Sequence, residues 1–495
     1  IVQTRHSWNG SRDGEPSISA AWCMGSTRRA AHPDPALDLR LAVLEALARQ
    51  PMAPPAQEFL ALAGSEELEI LRWTGARLGE VLEPPAARAL GEGIPMAARV
   101  LSTAAALGVV ALVVQVVRWG RRHTNPLLLA LAPLPVALSF PFQYWCSMRL
   151  ETALFSLLLL LAPALFLREE ALDRPPRWPS ALAYLALALT RPEGLVYAVV
   201  PVGHLLARAA AGVSPRALVR QRAAWLGIIV GGMVLFMIFR WGYFGELLPN
   251  TFHAKVEGGG GSAWGWRYLA RFCAERPYHL VLFVAPLLLG GTRSPAGPVL
   301  LGTALMAALV AVAVGGDWMH EFRLLVPITP LLAATLGITL QRISSQPQQR
   351  LTGRVVIFVG AALLTCGLQL NMGTPGQEWL AALGGQRRDL LINLEGEMTR
   401  AGQDVGSWLR ANARPGDLVA VNHAGAVPFY SGLPTLYMVG LNDRHIARLA
   451  GDMHAKHDAD YVLSRRPRFV VLNTRTEPSG GLYTPGYWAG EDALF

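Results

Sequence analysis

Long apolar runs, separated by short polar stretches, follow one another from about residue 97 to residue 370. A membrane-spanning helix needs about 20 mainly apolar residues to cross roughly 30 Å of hydrocarbon, and shorter runs can be tilted or re-entrant. Buried core helices of a large soluble protein are the alternative, but the arginine-containing loops between the runs argue against it. The pattern predicts ten membrane-spanning segments: 97–117, 126–140, 150–167, 180–190, 195–207, 223–239, 278–290, 298–314, 324–340 and 355–370.

The two ends of the chain have a different pattern. Towards the C-terminus the apolar runs shorten: residues 418–421 and 469–472 predict buried strands, and residues 389–412 predict a helix. We therefore expect a mainly α, polytopic helical membrane protein with a small C-terminal α/β domain outside the cytoplasm. Its three predicted parts are an aberrant or truncated outer-face region at 1–96, a transmembrane domain at 97–370 and the α/β domain at 371–495.

The distribution of charge predicts which loops face the cytoplasm. Only 16% of the residues are charged, against about 25% in soluble proteins. The net charge is +9, but the basic residues are spread over many loops, and we predict no nucleic-acid partner. The loop at 240–277 is basic and departs from the pattern. Every second loop holds most of the other arginines, which the positive-inside rule places in the cytoplasm: Arg118, Arg121, Arg122, Arg168, Arg174, Arg177, Arg208, Arg216, Arg220, Arg222, Arg293, Arg342, Arg350 and Arg354.

Four polar clusters lie in the loops predicted to face outward. Ionisable residues at the ends of spans are functional candidates because charge near a bilayer is costly. Their alternative role is to cap helices and reach water. A metal site at residues 317, 320 and 321 is a weak alternative, and we predict neither a metal nor a cofactor. The clusters are WCSMRLE (145–151), TRPEG (190–194), RWGYFGELLPNTFHAKV (240–256) and GGDWMHEFRLLVP (315–327).

Five motifs in order resemble a known family. They are LETALFSLLLLL (150–161), LTRPEGL (189–195), YFGELLPNTFHAKV (243–256), GGDWMHEFRLLVPITPLLA (315–333) and AVPFYSGLPTLYMVGLNDRHIA (426–447). Together they resemble bacterial polytopic glycosyltransferases of the C-type superfamily, in particular arabinofuranosyltransferase B-like proteins, over roughly residues 88–490. The resemblance implies an inverting transfer from a polyprenyl-phosphate sugar. The acceptor would be a cell-envelope glycan or glycolipid on the outer face of the inner membrane.

The residue types in the four clusters suit this chemistry. Inverting transfer needs a carboxylate to take a proton from the acceptor and cations to hold the donor phosphate. Asp317 and Glu151 are the predicted catalytic carboxylates. The predicted donor-phosphate and sugar-binding residues are Arg191, Glu193, Arg240, Tyr243, Asn250, His253, Lys255, His320, Glu321 and Arg323.

The N-terminal region departs from the family pattern. Enzymes of this family usually carry a catalytic aspartate, often an Asp-Asp pair, in the first outer loop, and residues 1–96 contain no such pair. We expect the first span and its catalytic loop to be missing or read in a shifted frame. Two other functions stay open: a transporter or flippase of a lipid-linked substrate, which the lack of an internal repeat disfavours, and a non-catalytic envelope scaffold.

Overall fold

The computed structural model is mainly helical, with a small parallel sheet near its C-terminal end. The N-terminal region up to residue 84 and most of the predicted span at 355–370 lie outside the described residues. The structure describes residues 85–119, 124–148, 150–172, 178–256, 261–317, 319–345, 360, 386–422, 425–451, 456–473, 475–476 and 482–483.

Helices make up the first part of the described chain. Three 3-10 turns, at Pro192–Ala198, Gly291–Arg293 and His320–Phe322, interrupt them. The helices are α1 (Pro85–Arg118), α2 (Pro126–Leu131), α3 (Leu134–Ala137), α4 (Phe140–Ser147), α5 (Thr152–Ala171), α6 (Trp178–Thr190), α7 (Val199–Ala210), α8 (Pro215–Phe244), α9 (Asn250–Val256), α10 (Gly261–Glu275), α11 (Tyr278–Leu288), α12 (Ala296–Ala313) and α13 (Ile328–Ser344).

Fewer helices than predicted are long and apolar enough to cross a membrane alone. Within the described residues there are four: Met96–Arg118 of α1, together with α5, α8 and α12. A bent pair, Pro126–Ala137 with Phe140–Ser147, raises the number to five if it counts as one span. Helices α6 and α11 are apolar but short. The chain therefore has the helices of a membrane protein, whereas ten spans remain a prediction.

Proline accounts for the bend in the predicted segment 126–140. Pro133 and Pro135 stand at the start of α3, and Pro141 stands in the first turn of α4. Proline has no backbone N–H to donate and its ring collides with the preceding turn, which favours a kink or a break, most of all where three prolines stand close together. The Ser139 hydroxyl accepts from the Phe142 backbone N–H at 3.4 Å and caps the new helix, which turns by 62°.

Helix α5 lies at the centre of the helical part and α8 at its margin. Helix α5 packs against α1, α6, α12 and α13, and its side chains Leu159, Leu160 and Phe166 are fully buried. Helix α8 packs mainly against α6 and leaves Leu235 and Ile238 exposed. An apolar face left exposed by the described residues, on a helix of this hydropathy, is typical of a surface that contacts lipid.

The charged residues form two layers at opposite ends of α5. Glu151 precedes the first residue of this 20-residue helix, which is about 30 Å long. Glu169 and Glu170 in its last turn pair with Arg222 of α8, and Arg208 of α7 also pairs with Glu170. Arg208 and Arg222, both from the predicted cytoplasmic loop at 208–222, therefore lie at the end of α5 remote from Glu151.

The last part of the described chain is a small α/β domain. Its sheet has the order β2-β1-β3 and is parallel, with Val419 of β1 opposite both Thr435 and Phe469. Strands β1 and β3 occupy the two predicted apolar runs. The elements are α14 (Gln386–Asn412), β1 (Val419–Val421), α15 (Ala426–Ser431), β2 (Thr435–Tyr437), α16 (Arg444–Ala447), α17 (Ala459–Ser464), β3 (Phe469–Val471) and an antiparallel pair, β4 (Arg475–Thr476) with β5 (Leu482–Tyr483).

Side chains of this sheet alternate between two apolar layers. Val419 and Val421 belong to one layer with Leu409 of α14. Ala420 belongs to the opposite layer with Ile446 of α16. Successive strand residues point to opposite faces, and a parallel sheet is covered on both faces, so continuous runs such as LVAV are apolar throughout.

Candidate functional site

Arg191 is a buried arginine at the end of α6. Pro192 follows it and, because proline disfavours the helical conformation of the preceding residue, the helix stops and Arg191 becomes extended (φ −144°, ψ 143°). Its side chain turns inward, where Nε donates to Glu151 Oε1 at 2.9 Å and Nη2 donates to Thr152 Oγ1 at 3.1 Å. The predicted clusters at 145–151 and 190–194 are therefore joined.

Gly194 makes this turn possible. A Cβ at Gly194 would lie 2.2 Å from the Leu187 carbonyl oxygen, far inside van der Waals contact. The 3-10 turn that begins at Pro192 therefore folds back onto the last turns of α6 and keeps Arg191 and Glu193 beside each other, 3.8 Å apart between Nη1 and Oε1. The motif TRPEG therefore needs glycine for space as well as the arginine and glutamate for charge.

Electrostatics favour the ionised form of Glu151. Burial is the largest single effect and opposes ionisation, but the charge and hydrogen bond of Arg191, a backbone hydrogen bond and the charge of Arg323 together outweigh it and lower the pKa of the Glu151 carboxyl. Arg191 also lies over the Phe155 ring at 4.6 Å, a cation–π contact that fixes the guanidinium plane. A carboxylate and a guanidinium thus meet at the end of α5, with Glu151 39% exposed and Arg191 8% exposed.

Asp317 and Arg323 form the second ion pair of the site. Arg323 Nε lies 2.8 Å from Asp317 Oδ2, and Asp317 is 5% exposed. The two glycines before Asp317 have positive φ, 83° at Gly315 and 80° at Gly316. A Cβ at Gly316 would lie 2.7 Å from Tyr268, so glycine is required there for both conformation and space.

Glu321 and Phe322 lie in the left-handed region, with φ of 57° and 51°. Such a backbone costs about 1–3 kcal/mol for each non-glycine residue and persists only when its surroundings hold it. The Glu321 carboxylate accepts from Arg276 Nη2 at 2.5 Å, and both side chains are almost fully buried. The Glu321 carbonyl accepts from Trp145 Nε1 at 3.0 Å. Glu321 therefore supports the loop beneath the site, and its predicted role in donor binding stays a prediction.

Trp145 connects the Asp317–Arg323 ion pair to the loop at Glu321. Its ring lies below the Arg323 guanidinium at 5.7 Å, while its Nε1 holds the loop at Glu321. Tyr268 of α10 borders the same region: burial, followed by the Asp317 carboxylate, raises the pKa of its hydroxyl. Three of the four predicted clusters thus converge. We name the set Glu151, Arg191, Glu193, Asp317 and Arg323 the carboxylate–arginine cluster.

The remaining predicted cluster, at 240–256, has other partners. Arg240 donates from Nε to the Leu247 carbonyl at 2.8 Å and lies over the Phe244 ring at 5.3 Å. Tyr243 is 66% exposed and stacks on Phe239. Asn250 is the first residue of α9. The side chains of Lys255 and His320 lie outside the described residues.

The segment at 240–256 holds the C-terminal domain against the helical part. Glu246 pairs with Arg448 at 2.7 Å and with Arg444 at 3.1 Å, both from the α16 region. Lys456, which is 1% exposed, donates from Nζ to the His253 carbonyl at 2.9 Å. The structure therefore gives this segment a connecting role, and the roles in donor binding predicted for Arg240, Tyr243, Asn250 and His253 stay predictions.

Sequence reasoning missed several contributors. The sequence places Arg276 in the loop at 240–277, because the run RPYHLVLF becomes apolar only after this arginine. In the structure its side chain is 1% exposed. Glu169 and Glu170, adjacent carboxylates just after the apolar run 150–167, are the sequence signal for a second buried network. Glu169 is 4% exposed and accepts from the Ser180 hydroxyl at 2.7 Å and from Arg222. In the part of the chain that the structure describes, no three His, Cys, Asp or Glu side chains are grouped to hold a metal ion.

Comparisons with known proteins give partial matches. A family model described as a domain of unknown function, DUF8728, matches residues 392–492. A terminal β-(1→2)-arabinofuranosyltransferase of Corynebacterium glutamicum is 31% identical over 157 residues, which cover 27% of this chain and 22% of that protein. Its namesake from Mycobacterium tuberculosis is 30% identical over 161 residues, 26% of this chain and 25% of that protein. No solved structure matches.

These matches bear on part of the chain. The alignments span about a quarter of the length of the curated relatives, so they support a glycosyltransferase-like relationship without extending to the whole relative. Together with apolar helices of spanning length, they indicate a membrane protein related to glycosyltransferases.

Proposed function

We propose that this chain is a membrane glycosyltransferase that moves a sugar from a polyprenyl-phosphate donor to a cell-envelope glycan or glycolipid, with inversion. The observation that carries the proposal is the carboxylate–arginine cluster at one end of the membrane helices, which combines proton acceptors with phosphate-binding cations. The partial likeness to two arabinofuranosyltransferases supports the class of reaction. In this proposal the cluster faces outward at the bacterial inner membrane, as does the domain at 371–495.

Exposure suggests how the cluster divides its roles. Glu151 and Arg323 keep 39% and 16% of their side chains exposed, whereas Arg191 and Asp317 keep 8% and 5%. In the proposed mechanism the exposed pair touches substrate. Arg191 orients Glu151, and Asp317 orients Arg323. Guanidinium is suited to this task because it stays charged and presents several donors to phosphate oxygens.

The proposed reaction is one displacement at the anomeric carbon. The acceptor hydroxyl attacks as its proton passes to the Glu151 carboxylate, and the new glycosidic bond forms on the face opposite the leaving group. The bond between the anomeric carbon and the phosphate oxygen breaks, and polyprenyl phosphate leaves with both bonding electrons. Arg323 stabilises the charge that develops on that phosphate. Asp317 is the alternative base, and the two carboxylates can be separated by mutation.

The test uses full-length protein in proteoliposomes with a radiolabelled polyprenyl-phosphate sugar and an envelope acceptor. Glu151→Gln and Arg323→Ala should each reduce transfer by about 10²-fold or more, the range for loss of general-base or charge stabilisation. Arg216→Ala, an exposed arginine near the start of α8, is the matched control and should transfer normally. Absence of transfer with every such donor would refute the enzyme and favour a flippase or a scaffold.

A further inference from the structure

Helix α10 presents two unlike faces. Gly265, Tyr268 and Phe272, at helical spacing, are buried against the loop that carries Asp317 and against the end of α12. Outside this buried face, Trp264 is 57% exposed and Trp266 is 56% exposed, and their i, i+2 spacing places them on two different flanks of the helix. Two large aromatic side chains left bare on one short helix indicate a surface that another phase or molecule covers.

The contact between α10 and α12 indicates where α10 lies along the membrane normal. A Cβ at Gly265 would lie 2.0 Å from the Val312 carbonyl oxygen, so the two helix backbones touch there. Val312 lies in the last turn of α12, a helix long and apolar enough to cross a membrane that ends at Ala313. Because the apolar stretch of α12 ends at this crossing, α10 lies at the level where the hydrocarbon around α12 ends.

The exposed side chains of α10 are of the types found at the boundary between hydrocarbon and lipid headgroups. Tryptophan is enriched where hydrocarbon meets the lipid headgroups, since its ring is largely apolar and its N–H needs a polar partner. Arg267 lies over the Trp264 ring at 5.2 Å, and Arg271 is 71% exposed. Guanidinium groups beside indole rings suit the phosphates of a lipid surface better than plain water or a purely apolar partner.

We infer that α10 lies in the headgroup layer of the membrane, with Trp264 and Trp266 on its two flanks at the level of the hydrocarbon boundary. Arg267 and Arg271 then reach lipid phosphates. The inference rests on packing, exposure and charge, and it holds whether or not the chain transfers sugar.

The same helix links the lipid surface to the carboxylate–arginine cluster. The Tyr268 hydroxyl accepts from the Leu324 backbone N–H at 3.4 Å, and the Phe322 ring packs on both Tyr268 and Phe272 at 5.4 Å. Arg271 on the outer side also lies 5.9 Å from the Phe322 ring. In this placement, α10 lies between the left-handed loop and the lipid surface.

Depth-dependent fluorescence quenching tests the placement. The full chain is reconstituted in nanodiscs of phosphatidylcholine and phosphatidylglycerol. The phosphatidylcholine is unlabelled, brominated near the headgroup end of an acyl chain, or brominated near the terminal methyl. The signal of interest is the difference between the unmodified chain and Trp264→Phe/Trp266→Phe. We expect shallow bromine to quench this difference about two-fold more than deep bromine, as for side chains at the interface.

A matched control and two contrary outcomes make the result decisive. Trp408 lies in α14 and packs on Phe469. The fluorescence difference between the unmodified chain and Trp408→Phe should therefore respond to neither brominated lipid. Quenching of the Trp264/Trp266 signal by aqueous iodide but not by bromine would place α10 in water and overturn the inference. A signal that neither quencher reaches would mean that protein covers the helix, which would overturn the inference as well. Single Trp264→Phe and Trp266→Phe variants replace the double variant if it inserts poorly.

Discussion

The buried pair Arg276–Glu321 allows a quantitative prediction. The two side chains are 1% and 3% exposed and meet at 2.5 Å. Arg276→Met removes the guanidinium but keeps an apolar stem, and it leaves the Glu321 carboxylate buried without that partner. Removing one member of a buried ion pair costs about 3–5 kcal/mol, because the remaining charge stays desolvated. We expect a loss of that size in the free energy of unfolding.

A double-mutant cycle separates the pair from its surroundings. Glu321→Gln alone should also destabilise, whereas Arg276→Met with Glu321→Gln should cost clearly less than the sum of the two single changes. Unfolding is followed by denaturant titration in mixed micelles. Arg271→Met is the control, since Arg271 is 71% exposed and its ion pair is with Glu275 on the surface of its own helix.

Two results would refute this reasoning. A change of less than about 0.5 kcal/mol for Arg276→Met is the size of an ordinary surface substitution and would mean that the pair is hydrated or broken. Strict additivity in the cycle would mean that the two residues do not interact. Either outcome would also remove the support proposed for the left-handed backbone at Glu321.

Three other contacts give further predictions. Gly194→Ala should abolish the placement of Arg191 and cost roughly 1–3 kcal/mol by overpacking, whereas Gly203→Ala, with nothing within 4 Å of the added Cβ, should be neutral; thermal unfolding of both variants is the measurement. Because Arg191 lowers the pKa of the Glu151 carboxyl, the Arg191–Glu151 pair stabilises the folded state above the ordinary carboxyl pKa of about 4.3. This stabilisation is lost as pH falls through the lower pKa that Glu151 has in the folded protein. The free energy of unfolding, measured as pH is lowered, should show this loss of stability in the unmodified chain and not in Glu151→Gln. Glu246→Ala should speed amide exchange on both sides of the domain contact while the parallel sheet stays protected, and unchanged exchange at the contact would contradict the role given to Glu246.

The sequence was a good guide to the residues that meet at the site. Charges at the ends of apolar runs predicted Glu151, Arg191, Asp317 and Arg323, and the structure brings them together. The physical reason is simple: residues at the same end of neighbouring membrane helices share one layer of space, so topology alone makes them neighbours.

The sequence did not predict which residues these polar segments contact, nor their local backbone geometry. The segment at 240–256 contains the same residue types, yet it contacts the C-terminal domain through Arg444, Arg448 and Lys456, which lie about two hundred residues away in the chain. Spacing cannot report such contacts. Apolar runs also hid the break at 126–140, because hydropathy averages over proline and does not register its missing N–H, whereas the break at TRPEG was predicted and is found at Pro192.

The ion-pair network at the remote end of α5 has a mechanical consequence. Glu169 and Glu170 bind Arg208 and Arg222, and through Ser180 they also reach Trp225, so α5, α6, α7 and α8 are fastened together there. These contacts restrict separation of the four helices at this end, and the Arg191–Glu151 pair joins α5 to α6 at the other. Helix α5 is therefore held to α6 by charged side chains at both of its ends, which keeps the distance between the two helices fixed along their length.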